Sequence, residues 1–484
     1  MARAYPAVRA LALVAAAALA LTACGGDDDD EATPAASASS STKVNTGNGV
    51  LKIGTLLPET GNLQILGPPE IAAVKLAIQD VNAAGGVLGK DVETDFSDSG
   101  DKTTDIASQS VNRLLDAGVD AIVGAASSSV TLKVVDRVTG SGVLMFSPAA
   151  TSTLITDYPD KGLLWRTAPS DIFQGRVVGQ TALDDGAETL GILALQDAYG
   201  TSLADQAETA FTSGGGEVVL KKIYDPTASE FSAEVGQVKK ADPDAIALIG
   251  FEESSKLIDE MVKQGLLPLK SGKSLYLVDG NMSNASYANR AKGEMEGVKG
   301  TIPGSKPADD FVSKLKAFDP SLKDYSYAGE AYDAITLIAL AAEAANSDAG
   351  IAIAKELQDV STGGEKCGTF AECVKLLKEN KDIDYEGQSG PVEFDSNGDP
   401  SVASMGIYQY GNDNMYKPLK FVRGPVAGGA STSESASSKP TSSSSAKPTS
   451  STRPSPSPSP SPSSSPISSP TPGGSASPSA TSTP

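Results

Sequence analysis

Histidine does not occur anywhere in the 484 residues, and the chain holds only three cysteines and one tryptophan. The missing histidine removes the usual general base and the commonest transition-metal ligand. Hydrolytic and zinc chemistry therefore lose their ordinary equipment, and no metal site or cofactor is expected. Three cysteines are too few for a disulfide-built scaffold. Positive charge is scarce as well: 39 Lys and Arg stand against 60 Asp and Glu, a net charge of -21. A nucleic-acid partner needs a basic face to meet phosphate, so none is expected.

Long apolar runs are also lacking. The stretch over residues 11–21 is too short, and too soon followed by polar residues, to be a stable membrane span. With Arg3 and Arg9 ahead of it, residues 1–23 read as an export signal. The run ends in Leu21-Thr22-Ala23-Cys24-Gly25, which resembles the bacterial lipobox. That resemblance implies lipidation of Cys24, a mature chain beginning there, and a membrane anchor. Residues 24–48 carry an acidic run and then Ala, Ser and Thr, the composition of a flexible tether. Residues 424–484 are Ser, Pro, Thr and Ala, including Ser455-Pro456-Ser457-Pro458, and are expected to be a disordered tail. A wall-spanning or O-glycosylated stalk and simple solvated disorder both suit it.

Between about residues 50 and 422, short apolar runs alternate with segments of helical period. Residues 50–57 predict a strand, and Ile71, Val74, Ile78 and Val81 form one stripe of a helix that stops at Gly85-Gly86. The alternation continues through strands at 92–96, 121–123, 143–146, 190–195, 218–224, 245–249 and 275–278. Such units imply mostly parallel sheets flanked by helices, and about 370 residues is too much for one of them. Two α/β lobes are expected.

In open α/β sheets, ligands bind beyond the carboxyl ends of strands, where helix N-termini present free N–H groups. Gly124-Ala125-Ala126-Ser127-Ser128-Ser129 and Ser147-Pro148-Ala149-Ala150-Thr151-Ser152 both follow predicted strands and offer hydroxyls and backbone donors suited to a carboxylate. The alternative is that these serines only cap helices.

Several motifs appear in order: Pro58-Glu59-Thr60-Gly61, Asn82-Ala83-Ala84-Gly85-Gly86, the two serine turns, Arg166-Thr167-Ala168-Pro169, Asp197-Ala198-Tyr199-Gly200, Glu330-Ala331-Tyr332-Asp333 and Tyr385-Glu386-Gly387-Gln388-Ser389-Gly390-Pro391. The series resembles the leucine/isoleucine/valine-binding protein family of periplasmic-type receptors. The resemblance implies a two-lobed type I fold with three crossovers. Lobe 1 would take residues 50–168 and 302–384, and lobe 2 residues 169–301 and 385–423.

It further implies that Ser127 or Ser128, Ala149 and Thr151 hold a ligand carboxylate, that Tyr199 closes over the ligand, and that an acid receives its ammonium. Glu252 and Glu253 are the first candidates and Asp279 the next. Asp171 and Asp279 could both reach the cleft but read first as hinge or capping residues, and Tyr332-Asp333 reads as packing within a helix. No aromatic appears in the loop 61–65, a departure that leaves a polar amino acid, an amide or another small carboxylate open as ligand.

The implied partner is an ATP-binding-cassette permease. A ligand sensor on the same fold and a cell-envelope enzyme are the alternatives, although no nucleophile–base set is evident for the latter. Cys367 and Cys373 lie close in an exported chain and predict a local disulfide. Asp395-Ser396-Asn397-Gly398-Asp399 lacks the closing glutamate of a calcium loop and reads as a turn.

Overall fold

The computed structural model describes residues 45–427 and 432–435. The export signal, Cys24, most of the tether and most of the tail lie outside the described residues. Lobe 1 begins with β1 (Lys52–Leu56), α1 (Gly67–Ala83), β2 (Glu93–Asp95), α2 (Ile106–Asp116), β3 (Ala121–Gly124), α3 (Ser128–Thr139), β4 (Leu144–Ser147) and β5 (Leu164–Arg166). These strands form one parallel sheet in the order β2-β1-β3-β4-β5. Every residue of β3, β4 and β5 is buried, which is why these strands read as apolar runs without alternation.

The chain then crosses to lobe 2. There lie α4 (Asp171–Asp184), β6 (Thr189–Leu195), α5 (Ala198–Ser213), β7 (Glu217–Tyr224), α6 (Ser232–Ala241), β8 (Ala245–Ile249), α7 (Ser254–Lys263), β9 (Ser274–Leu277), the single turn α8 (Asn284–Tyr287) and β10 (Lys299–Pro303). The second crossover returns it to lobe 1 for α9 (Asp309–Phe318), α10 (Ala328–Ala345), α11 (Gly350–Glu356), β11 (Glu365–Cys367), α12 (Phe370–Lys378) and β12 (Ile383–Tyr385). The third leads to β13 (Val402–Tyr410), β14 (Tyr416–Pro425) and β15 (Thr432–Ser435). The second sheet runs β15-β14-β13-β10-β9-β8-β6-β7. It is parallel from β7 to β10 and antiparallel beyond.

Each lobe has its own apolar core. The first gathers Ile53, Val123 and Phe146 with Ile335 and Leu340, and the second gathers Ile192, Leu248 and Leu277 with Leu203 and Ile258. Two boundaries differ from the sequence reading. Val392 and Phe394 still pack in the first core, Phe394 edge-to-face on Trp165 and Phe146, so the third crossover comes after residue 385. The expected tail at 424 is also corrected. β14 continues through Pro425 and β15 pairs with it, because the edge of β14 offers unpaired backbone groups that another strand satisfies.

At the other end, Asn45 donates to Asp120, and the amides of Asn48, Gly49 and Val50 donate to Asp348, so the last residues of the tether are held on lobe 1. Cys367 and Cys373 are joined as a disulfide, with Cα atoms 5.3 Å apart.

Candidate functional site

Two turns at neighbouring strand ends build one wall of the interlobe cleft. At the end of β3, Gly124 has φ +136, and a Cβ there would stand 2.1 Å from the Leu56 carbonyl oxygen, so only glycine lets β1 and β3 approach this closely. The three serines that follow divide the work. Ser127 caps α3 by accepting from the Val130 amide at 3.4 Å. Ser128 accepts from the Ser152 amide at 3.2 Å, tying the first turn to the second. Ser129 reaches across the cleft and accepts from the Ala198 amide at 3.1 Å. In the second turn the Ser147 hydroxyl donates to the Ala125 carbonyl and accepts from the amides of Ala149 and Ala150.

The second turn is also held from beneath. Arg166 is wholly buried, and its guanidinium donates to the carbonyls of Ala150 and Ser152 at 3.2 and 2.9 Å. It also forms a two-pronged ion pair with Asp399 at 2.6 and 2.5 Å and donates to the Thr156 hydroxyl. Asp399 belongs to the turn that superficially suggested calcium. Its partner is this arginine, 233 residues away in sequence.

Lobe 2 supplies the opposite wall. The Tyr199 and Phe251 rings stack at 5.4 Å and 8°. Asp279, just beyond β9, accepts from the hydroxyls of Tyr199 (2.8 Å) and Tyr327 (2.7 Å) and from the Gln174 side chain (2.6 Å). Burial raises its carboxyl above the ordinary value against the pull of these three donors. Between the walls the closed lobes leave a small cavity of about 10 Å³, lined by Ser127, Ser128, Ala149, Tyr199, Phe251 and Asp279, with Leu63, Leu66 and Ala126 completing it.

The lobes meet in a closed arrangement. The Glu252 amide donates to the Asn62 carbonyl, the Ser152 hydroxyl to the Ala198 carbonyl and the Thr153 amide to Ser202, and Lys102 pairs with Asp197 at 3.7 Å.

The structure thus brings Ser127, Ser128, Ala149, Tyr199 and Asp279 together. It does not bring Glu252 or Glu253 to the cavity. Glu253 turns back into lobe 2, accepting from its own helix entry at the Phe251 amide and from the Tyr224 hydroxyl at 2.8 Å. Glu252 lies at the cleft rim against Gln64. Thr151 stands just outside the lining, its buried hydroxyl without a partner. Phe251 and Tyr327 escaped the sequence reading. Phe251 directly precedes the acidic pair, but Tyr327 carries no local signal because it reaches Asp279 only through the fold. Tyr332 donates to Asp80, and Asp333 accepts from Tyr385, Gln388 and Ser389, the packing role expected of both.

Asp171, at the first turn of α4, is fully buried with both carboxyl oxygens unpartnered. Burial pushes it up to about 7. The nearby Ser202 and Thr151 hydroxyls pull it down, the Asp279 charge pushes it up, and Arg166 pulls it down. Its folded value exceeds the unfolded one of about 4. The folded state therefore holds the proton more tightly, and stability falls as pH rises from about 4 through about 7. Asp171→Asn is expected to flatten this slope and to stabilise the protein by about 2–4 kcal/mol at pH 8. Urea midpoints at pH 5 and pH 8 check it; an equal slope in both proteins would show that Asp171 is ionised at no cost.

A family profile described as "Periplasmic binding protein" matches residues 50–410. The chain belongs to that family. Leu/Ile/Val-binding protein homolog 1 of Brucella abortus is 27% identical over 379 residues, covering 76% of this chain and 93% of the relative. A chemotactic signal transduction system substrate-binding protein of Halobacterium salinarum is 27% identical over 357 residues, covering 71% and 83%. The crystal structure of a leucine-binding protein from Thermotoga maritima matches with a TM-score of 0.64 and 23% identity, covering 77% and 98%, and shows the same two-lobed fold. This periplasmic binding protein is a solute-binding protein and not an enzyme, and it works on the extracytoplasmic side.

Proposed function

We propose that this protein is a lipid-anchored receptor that captures a small amino acid in the interlobe cleft and delivers it to an ATP-binding-cassette permease. One observation carries the reading: the cavity has an anion-receiving end and a cation-receiving end on opposite lobes. The α3 N-terminus with Ser127 and Ser128, beside the turn at Ala149, offers hydroxyls and N–H groups to a carboxylate. Asp279 is the only carboxylate in the lining and still has lone-pair capacity after three donors. A zwitterion satisfies both ends at once, and binding it favours the closed state because only that state offers both.

The closed lobes leave little room between them, and the space is flanked by Leu63, Leu66, Tyr199 and Phe251. That argues for a short apolar side chain. Cys24 would supply the anchor and the tether the reach to the permease. The Halobacterium relative makes sensing the second reading for the partner, on the same ligand chemistry.

The test is the thermal shift of purified full-length protein against amino acids, amides and small carboxylates. Small aliphatic amino acids are expected to stabilise it most, by an amount that grows with the logarithm of ligand concentration. Equal or greater stabilisation by a carboxylate without an amino group would overturn the zwitterion assignment.

A further inference from the structure

A second cavity of about 240 Å³ lies on the crossover side of the molecule. Residues 304–307 of the second crossover form part of it, together with Gln388 and Ser389 of lobe 1. The outer strands of lobe 2 add an aromatic wall, in which the Tyr408 ring sits edge-on to Tyr416 at 5.2 Å and to Phe421 at 6.0 Å. Two polar side chains in the lining are unfulfilled. Glu330 of α10 and Ser326 just before it are 3% and 5% exposed, yet the Glu330 Oε1 and the Ser326 hydroxyl have no hydrogen-bond partner. Gly304, at φ +97, lies so close that a Cβ would stand 2.6 Å from Glu330 Oε1. A glycine there spares the carboxyl from crowding.

We propose that this cavity is a second binding site, for a small organic amine whose ammonium group is received by Glu330 and Ser326 and whose apolar body lies against Tyr408, Tyr416 and Phe421. A buried carboxyl with an unpartnered oxygen gains from an ammonium, which brings donors and a counter-charge to its ionised form. Aromatic faces beside it favour a cation further. Burial, with the Asp333 charge behind it, pushes Glu330 up to about 8. Burial, and after it the Glu330 charge, raises Glu70 of α1, whose two oxygens are also unpartnered. Lys306 and Asp309 stand exposed at the rim.

The site is separate from the cleft but shares Tyr327 with it. Tyr327 lines the second cavity while its hydroxyl donates to Asp279 in the first. An occupant that packs on Tyr327 and on the second crossover fixes elements that must move when the lobes part. Amine and cleft ligand therefore raise each other's affinity, by the same factor in both directions.

Calorimetry of full-length protein with 2-phenylethylammonium chloride tests this, with sodium phenylacetate as the comparison. One site for the amine and none for phenylacetate are expected. Asp279→Asn should retain amine binding, whereas Glu330→Gln should weaken it about tenfold or more with the fold intact by circular dichroism. No heat at millimolar amine would overturn the proposal. So would binding that survives Glu330→Gln but vanishes in Asp279→Asn, because the amine would then be sitting in the cleft. Failure of the zwitterion assignment, by contrast, leaves the Glu330 result untouched.

Discussion

Asp279→Asn is expected to lower affinity for the preferred amino acid about 100-fold while leaving the unfolding midpoint unchanged or slightly raised. The argument rests on where the carboxylate sits. Asp279 is buried, and its neighbours on the cleft side are neutral donors: two tyrosines and a glutamine. An ammonium group arriving there gains a charge-assisted hydrogen bond worth roughly 1.5–3 kcal/mol, which is about ten- to 150-fold in affinity. Without the charge, the ammonium is also left desolvated. Asparagine keeps the shape and one acceptor oxygen, the hydroxyl facing its NH2 can turn to accept, and a buried charge is removed, so the fold has little to lose.

Calorimetry with the amino acid and its deaminated analogue reads the effect. Affinity for the amino acid should collapse toward that of the analogue, which should itself hardly change. Equal loss for both would mean that Asp279 shapes the cavity without receiving the amino group.

Arg166→Met should cost about 3–5 kcal/mol of stability and also abolish tight ligand binding. Removing one partner of a buried ion pair leaves the other charged and unpaired, which is the costly case. Here the loss extends further, because the same guanidinium satisfies the carbonyls of Ala150 and Ser152 and the Thr156 hydroxyl. The turn that presents Ala149 to the cavity is thereby released. Asp399→Leu added to Arg166→Met removes the orphaned charge and should recover part of the stability, as apolar replacements of buried pairs often do. It should not recover affinity, since the two carbonyls remain without donors. Urea unfolding and calorimetry on the single and double variants separate the effects. Recovery of both quantities together would reduce Arg166 to a purely structural role.

Much of the architecture is written locally. Alternating apolar runs and helical stripes, with glycine stops such as Gly85-Gly86, place β8 at Ala245–Ile249 as predicted and most other elements within a few residues. The serine turns are legible because strand end, small residues and helix start are contiguous in sequence. The Cys367–Cys373 pair is legible for the same reason of proximity.

The acid of the cleft was not so readable. Glu252 and Glu253 follow a strand in a favourable place, yet the start of α7 turns Glu253 onto the Phe251 amide and the Tyr224 hydroxyl and leaves Glu252 at the rim. A rotation of one residue about a helix entry decides this, and no sequence pattern encodes it.

The sequence by itself determined the class of molecule: an α/β chain of two lobes with hydroxyl-rich turns at neighbouring strand ends and no histidine. Those properties depend on composition and on residues within one or two turns of each other. Only the tertiary structure decided that Asp279 faces those turns, that Arg166 and Asp399 meet beneath them, and that Tyr327 divides the cleft from a second cavity. Each of these depends on three chain crossings that bring together residues 48 to 233 positions apart. Their contact is set by how two separately packed cores fit against one another, which local periodicity does not specify.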